Sequence, residues 1–383
     1  MTGFSNFSTL STENFSTTIN GSTSSGEAIE SQGMEIVKST LYATCGVFGV
    51  VGNILTTIIL TKIKAKETRV MDFYMINLAI ADLGTLLLAF PITAIRERLP
   101  NDWPFGEFVC LYFLPLTDIF HGSSVWFITA AAIERYQKIA RPSKVNVKLP
   151  IALKRAQIVA VSTWVASFVV FSLPLYFVLR YREVSTNGRF WCGSEWPSLG
   201  AGLALSKLYF TFMVFVSYVM PLFVISGTFL AVSHKLNKSS KFIHAINLQH
   251  EKDNELGNLH SRKFSQTRRH AIRLAQNRRA KMILTPVVGV FAVFMLPLTI
   301  LRLCVVFWPP FFKQTFYSDW LFVVSVGVII NSSVNPGIYS VVRKDFRRQM
   351  VRLLCWKRRS SRGQKRNRAL VSVKLDLNRI SRS

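Results

Sequence analysis

Cysteine is scarce in this chain, with five among 383 residues. That is too few for a disulfide scaffold. Histidine is nearly as rare, at six. The His residues and the carboxylates fall into no metal-ligand spacing and no nucleophilic triad, which argues against a membrane enzyme. Acidic residues are outnumbered, 20 Asp and Glu against 47 Lys and Arg. No Lys or Arg precedes Lys38. The N-terminal residues lack the basic region and apolar core of a cleavable signal peptide, so the first apolar helix is expected to serve as the insertion signal. Internal repeats and broken half-helices, the usual marks of a transporter or channel, are missing too.

What the chain has is apolar length and positive charge. Half of it is hydrophobic and its formal net charge is +27. Such a basic protein binds nucleic acid or spans a membrane with basic inner loops. The spacing decides for the membrane. Seven apolar stretches stand out: Ser39–Thr61, Phe73–Ile95, Phe108–Ile133, Ala156–Leu179, Leu205–Val232, Met282–Trp308 and Tyr317–Val342. Each is long enough to cross a ~30 Å hydrocarbon core as a helix. The expected fold is an all-α membrane protein, a seven-helix bundle, with no nucleic-acid partner.

Lys and Arg orient it. Most of them lie in the first, third and fifth gaps and in the tail, as in "RRHAIRLAQNRRAK" (268–281) and "RKDFRRQMVRLLCWKRR" (343–359). Those segments are expected inside the cell, which puts the N-terminus outside and the C-terminus in the cytoplasm. Residues 1–38 are Ser/Thr-rich and carry sequons at Asn6, Asn14 and Asn20, so they read as a disordered, glycosylated outer segment. Residues 39–342 form the membrane domain, 343–355 a short amphipathic helix, and 356–383 a basic tail.

Cys110 and Cys192 both face the oxidising side, which allows a bridge between them. Cys45 and Cys304 sit among apolar residues and read as packing residues. Cys355 is inner and juxtamembrane, where it is either a palmitoylation site or a plain thiol. Apolar Phe346, Met350, Leu353 and Leu354 among Arg and Lys suit a helix lying on the inner leaflet, with anionic lipid as its partner.

Polar groups at bilayer depth call for a partner or a function. Asp82 lies near the middle of the second stretch. Asn53, Ser124, Asn331 and Asn335 stand at matching depth on the first, third and seventh. They read as one hydrated cluster that either glues helices together or holds a small cation, sodium being the expected one. Prolines 91, 115, 174, 221, 297 and 336 interrupt the spans, so helices able to pivot are expected.

These features together resemble a rhodopsin-like (class A) G-protein-coupled receptor over roughly residues 39–355. The resemblance rests on "GN" at 52–53, "NLAIAD" at 77–82, "WPFG" at 103–106, Cys110 with "ERY" at 134–136, Trp164, Pro221, Pro297 and "NPGIY" at 335–339. It implies no enzymatic activity and no cofactor beyond an allosteric sodium ion. It implies that Glu134, Arg135, Tyr136, Asn335, Pro336 and Tyr339 form the activation machinery. Glu134 then compensates Arg135 at rest, and Arg135 reaches a heterotrimeric G protein when the sixth helix swings out. The alternative for Arg135 is a snorkelling interfacial side chain. "RRSS" at 358–361 and "RKFS" at 262–265 resemble substrates for a receptor kinase, with arrestin as the follow-on partner.

Two positions depart from the pattern. Met295 stands where the sixth helix usually has its switch tryptophan, and Phe229 replaces the usual fifth-helix tyrosine. Retinal is discounted because Ile329 occupies the Schiff-base position. Amines are discounted because Thr117 occupies the usual aspartate position, with Asp118 one step on and rotated by ~100°. The motifs and the Trp/Phe-rich outer loop are most like the neuropeptide receptors of the plasma membrane. An extracellular peptide is therefore the expected ligand, and a small acidic or lipid mediator the alternative. Thr117, Asp118, Met295 and Arg302 are the expected ligand-pocket residues. Arg302, set among apolar neighbours, is expected to meet Glu97, Glu195 or Asp319, or else an acidic group of the ligand.

Overall fold

The computed structural model describes residues 24–62, 69–99, 102–140, 148–185, 188–199, 203–255, 286–308, 310–311, 314 and 316–354. Asn6, Asn14, Asn20, Cys355 and both candidate kinase sites lie outside them. The chain divides into two units, residues 1–44 and residues 45–383. In the first, the described part is helical from Ser24. The expectation of disorder through residue 38 therefore fails for 24–38. No proline occurs there to stop a helix that the following apolar span has already nucleated.

Seven helices are long and apolar enough to cross a membrane. Here α1 is Ser24–Lys62, α2 Arg69–Arg98, α3 Gly106–Ile139, α4 Leu149–Val178, α5 Leu205–Asn237, α6 Pro286–Phe307 and α7 Tyr317–Val342. Helix is forced on such segments because hydrocarbon offers no partner to an open backbone N–H or C=O. The helix of α5 runs on to Glu255. A last helix, α8, spans Lys344–Leu354.

The prolines leave a consistent mark. Five-residue π-turns occur at Thr85–Ala89, Val109–Phe113, Phe168–Ser172 and Phe215–Val219. They directly precede Pro91, Pro115, Pro174 and Pro221. A proline ring clashes with the carbonyl one turn back and supplies no N–H, so the ladder widens there. In α6 the helix bends at Met295, just before Pro297. In α7, Pro336 lies inside a continuous helix.

Large apolar side chains point outward, among them Phe223 at 81 % exposure, Phe177 at 70 % and Phe108 at 69 %. That is the pattern of a surface solvated by lipid. Inside, small residues let helices approach. A Cβ on Gly52 of α1 would meet the Pro336 ring of α7 at 2.9 Å, so glycine sets this spacing.

One end of the bundle is closed by a hairpin. Strand β1 (Leu179–Ser185) pairs antiparallel with β2 (Arg189–Ser194), and Tyr181 faces Cys192. Cys192 is disulfide-bonded to Cys110, which fastens β2 to the start of α3. Trp103 N donates to Phe190 O at 2.9 Å, and its Nε1 to Gly106 O at 2.8 Å. Gly106 has φ of +77°, a left-handed turn that favours glycine. This is the disulfide end; Arg135 marks the other.

Candidate functional site

Three polar clusters sit among the helices. The middle one is built on Asp82 of α2, which is fully buried. Ser124 of α3 donates to its Oδ1 at 2.9 Å, and Asn335 of α7 donates to its Oδ2 at 2.8 Å. The Ser332 hydroxyl also lies against the carboxylate. Asn53 makes a different link: its Nδ2 donates to Gly49 O at 2.9 Å and to Ser332 O at 3.0 Å, tying α1 to α7. Asn331 enters through its backbone, accepting from Asn335 at 3.4 Å. Of the four residues expected around Asp82, Ser124 and Asn335 touch it. Asn53 and Asn331 show no hydrogen bond to it.

At the Arg135 end, Glu134 pairs with Lys138 one turn on, at 3.0 Å. Arg135, whose charge Glu134 was expected to compensate, lies in the field of Glu134 as well. An i,i+4 pair on one helix face is favoured geometrically over adjacent residues, which point apart. Arg135 lies in the electrostatic field of Asp72, Glu134, Arg343 and Tyr339. Arg343, just beyond α7, donates through Nη1 to Asp72 Oδ1 and touches Met75 Sδ at 3.6 Å. Tyr339 is 3 % exposed and packs edge-on to Phe346 of α8, ring centroids 6.2 Å apart. Tyr136 packs on Ile139, Val232 and Leu236, and Phe229 rests against the main core.

The third cluster lies towards the disulfide end, between α3, α5 and α6. Arg302 Nη1 donates to Ser217 Oγ at 3.2 Å. Asp118, the carboxylate in its field, comes from α3, with Tyr209 of α5 and His121 of α3 beside it. Glu195, expected as a partner of Arg302, instead pairs with Arg182 at 2.6 Å. The reason is local: the turn after β2 brings Glu195 back beside β1, and its N donates to Val178 O at 2.8 Å. Met295 is buried at the bend of α6. Thr117 is buried too, its hydroxyl turned back to Leu114 O at 2.7 Å. A separate open cleft of about 560 Å³ runs between the end of α4, β1 and the start of α5, lined by Phe177, Arg180, Glu195 and Trp196 among others.

The family model described as 7 transmembrane receptor (rhodopsin family) matches residues 52–339. The chain belongs to the rhodopsin family of seven-transmembrane receptors. It is 26 % identical over 337 residues to a QRFP-like peptide receptor of Branchiostoma floridae, covering 85 % of this chain and 79 % of that one. It is 25 % identical over 349 residues to neurotensin receptor type 1 of Homo sapiens, covering 86 % and 79 %. To somatostatin receptor type 1 of Rattus norvegicus it is 24 % identical over 338 residues, covering 87 % and 75 %.

In this receptor, sequence reading missed Ser332 at the middle cluster, Asp72 and Arg343 at the Arg135 end, and His121, Tyr209 and Ser217 around Arg302. Ser332 adjoins Asn331 in a motif already singled out, and its depth was a usable signal. Asp72 and Arg343 carried no signal that distinguished them from the charged flanks of their helices.

Proposed function

We propose that this receptor lies in the plasma membrane, binds an extracellular peptide and activates heterotrimeric G proteins. Its disulfide end faces outward and its Arg135 end faces the cytoplasm. The excess of Lys and Arg in the alternate gaps supports that orientation. The peptide reading draws on its likeness to receptors named for QRFP-like peptides, neurotensin and somatostatin. The single observation that carries it is the guanidinium of Arg302, held half-enclosed between α3, α5 and α6 by Ser217. A guanidinium with donors to spare is suited to a carboxylate, which it grips with two parallel hydrogen bonds. The ligand is accordingly a peptide with a free C-terminus or an acidic residue. The same observation also favours a second reading, an acidic small molecule or lipid mediator. Thr117, Asp118 and Met295 complete the pocket.

Glu134, Arg135, Tyr136, Asn335, Pro336 and Tyr339 carry the change to the G protein. Asp82 takes a sodium ion, with Ser124 and Asn335 as direct neighbours and Asn53 and Asn331 behind them. A carboxylate with the Ser124 and Ser332 hydroxyls beside it is suited to a small cation, which offsets its desolvation. Residues 1–38 carry glycans at Asn6, Asn14 and Asn20. The membrane domain is 39–342. Residues 343–355 lie on anionic lipid, with Cys355 palmitoylated, and the tail 356–383 receives receptor kinase and arrestin.

The test is a G-protein activation screen of cells bearing the receptor. A library of peptides with free carboxyl termini is run beside the same library amidated. Hits confined to free-acid or acidic peptides are expected. A set of acidic small molecules and lipids is screened in parallel, and hits confined to that set would move the assignment to the second reading.

A further inference from the structure

The open cleft between the end of α4, β1 and the start of α5 joins apolar walls to a cation. Pro174 and Phe177 of α4, Pro197 and Leu205 of α5 supply the apolar surface. Trp196 adds an indole, whose ring packs on Tyr209 and Phe210 with centroids 4.7 and 6.0 Å apart. Arg180 of β1 lines the same cleft and is exposed. Its Nη1 donates to Phe177 O at 3.0 Å and to Leu179 O at 2.8 Å, so carbonyls at the end of α4 hold one arm of the fork. The edge formed by Nη2 and Nε has no partner among the described residues. Glu195 also lines the cleft, but Arg182 takes its carboxylate at 2.6 Å. Arg180 is therefore the charge left without a counter-ion there.

We infer that this cleft binds a single-chain acidic amphiphile, a fatty acid by its chemistry, with the carboxylate on Arg180. The Nη2–Nε edge presents parallel N–H groups, the pattern that grips a carboxylate. Its other arm is already held by backbone carbonyls, so little entropy is lost when the acid docks. The place is interfacial: α4 ends at Val178 and α5 begins at Leu205, where hydrocarbon gives way to headgroups. Deeper along α5 the apolar surface continues. Leu208 and Phe212 follow Leu205 at helical spacing and are both exposed, and Phe177 turns outward from α4. An acyl chain laid along that surface keeps its acid at the level of Arg180. The volume of about 560 Å³ is in the range of sites for one small molecule. None of the lining residues belongs to the Arg302 cluster, so this is a second site; Trp196 adjoins both, through Tyr209.

The test uses full-length receptor in phosphatidylcholine nanodiscs, incubated with palmitate that carries a diazirine on its chain. After irradiation the adducts are mapped by peptide mass spectrometry. They should concentrate on the peptides that carry Phe177 and Leu205, and unlabelled palmitate should displace them. Hexadecanol, the same chain without the acid, should compete about tenfold less well. Arg180→Gln should lower the labelling by about tenfold. Arg180→Lys, which keeps the charge and loses the fork, should lower it less. Adducts spread evenly over the outward faces of the helices, hexadecanol competing as well as palmitate, or Arg180→Gln labelled like wild type would each overturn the inference. The palmitate and hexadecanol comparison on wild type decides if Arg180→Gln fails to fold. Nanodiscs that contain phosphatidylglycerol separate the two sources of an anionic head. Labelling retained there supports the fatty acid, and labelling lost there gives the cleft to a phospholipid phosphate and overturns the single-chain assignment. No agonist or G protein is present, so failure here leaves the peptide reading standing.

Discussion

Arg302 of α6 donates through Nη1 to the Ser217 hydroxyl of α5 at 3.2 Å, with the Asp118 carboxylate of α3 in its field. Three helices thus converge on one guanidinium in the disulfide half of the bundle. A serine oxygen and a carboxylate from the same chain keep the charge tolerable inside the bundle. They also fix the fork in place, which lowers the entropy lost when a ligand acid docks.

Arg302→Lys keeps the charge and loses the fork. Agonist potency should fall by about tenfold, equivalent to about 1.4 kcal/mol, while the maximal response is retained. The check compares an agonist with its carboxyl-blocked form on wild type and on Arg302→Ala. Blocking should cost potency on wild type alone. An equal cost on both receptors would mean that Arg302 serves only the pair with Asp118.

Asp82→Asn preserves the shape at the middle cluster and deletes its charge. Sodium should lower agonist affinity on wild type, by stabilising the resting bundle. On Asp82→Asn the affinity should be the same in sodium and in choline chloride. Equal sodium sensitivity in both proteins would rule out Asp82 as the site.

The Cys110–Cys192 bond closes a loop with a sequence separation of 82 residues. In the chain-entropy account such a closure is worth roughly 3–5 kcal/mol. That is a large share of the stability of an ordinary domain. Cys110→Ser and Cys192→Ser should each cut surface expression, and the double variant should be no worse than either single one. Surface labelling by flow cytometry reads this directly. Additive losses in the double variant would point to separate packing roles for the two thiols.

The bundle was legible because a bilayer fixes how long an apolar helix must be. The expected span Tyr317–Val342 has the observed bounds, and α5 begins at Leu205 as expected. Helix starts outside the membrane obey no such rule, which is why α1 begins at Ser24. The same limit hid the Asp72–Arg343 pair. With the second span taken to start at Phe73 and the seventh to end at Val342, both residues fell among the many charges flanking the membrane. Only the packed structure shows that these two meet. Asp118 is different: it is among the expected pocket residues, and it lies in the field of Arg302.

Arg135 carries the central claim, that this end of the bundle engages a G protein. The most direct measurement is agonist-stimulated nucleotide exchange on a heterotrimeric G protein, comparing wild type with Arg135→Ala at matched surface expression and with agonist binding measured in parallel. Arg135→Ala should bind the agonist and produce no exchange above membranes that lack the receptor. Exchange at the wild-type rate would contradict the claim and leave Arg135 as an interfacial side chain.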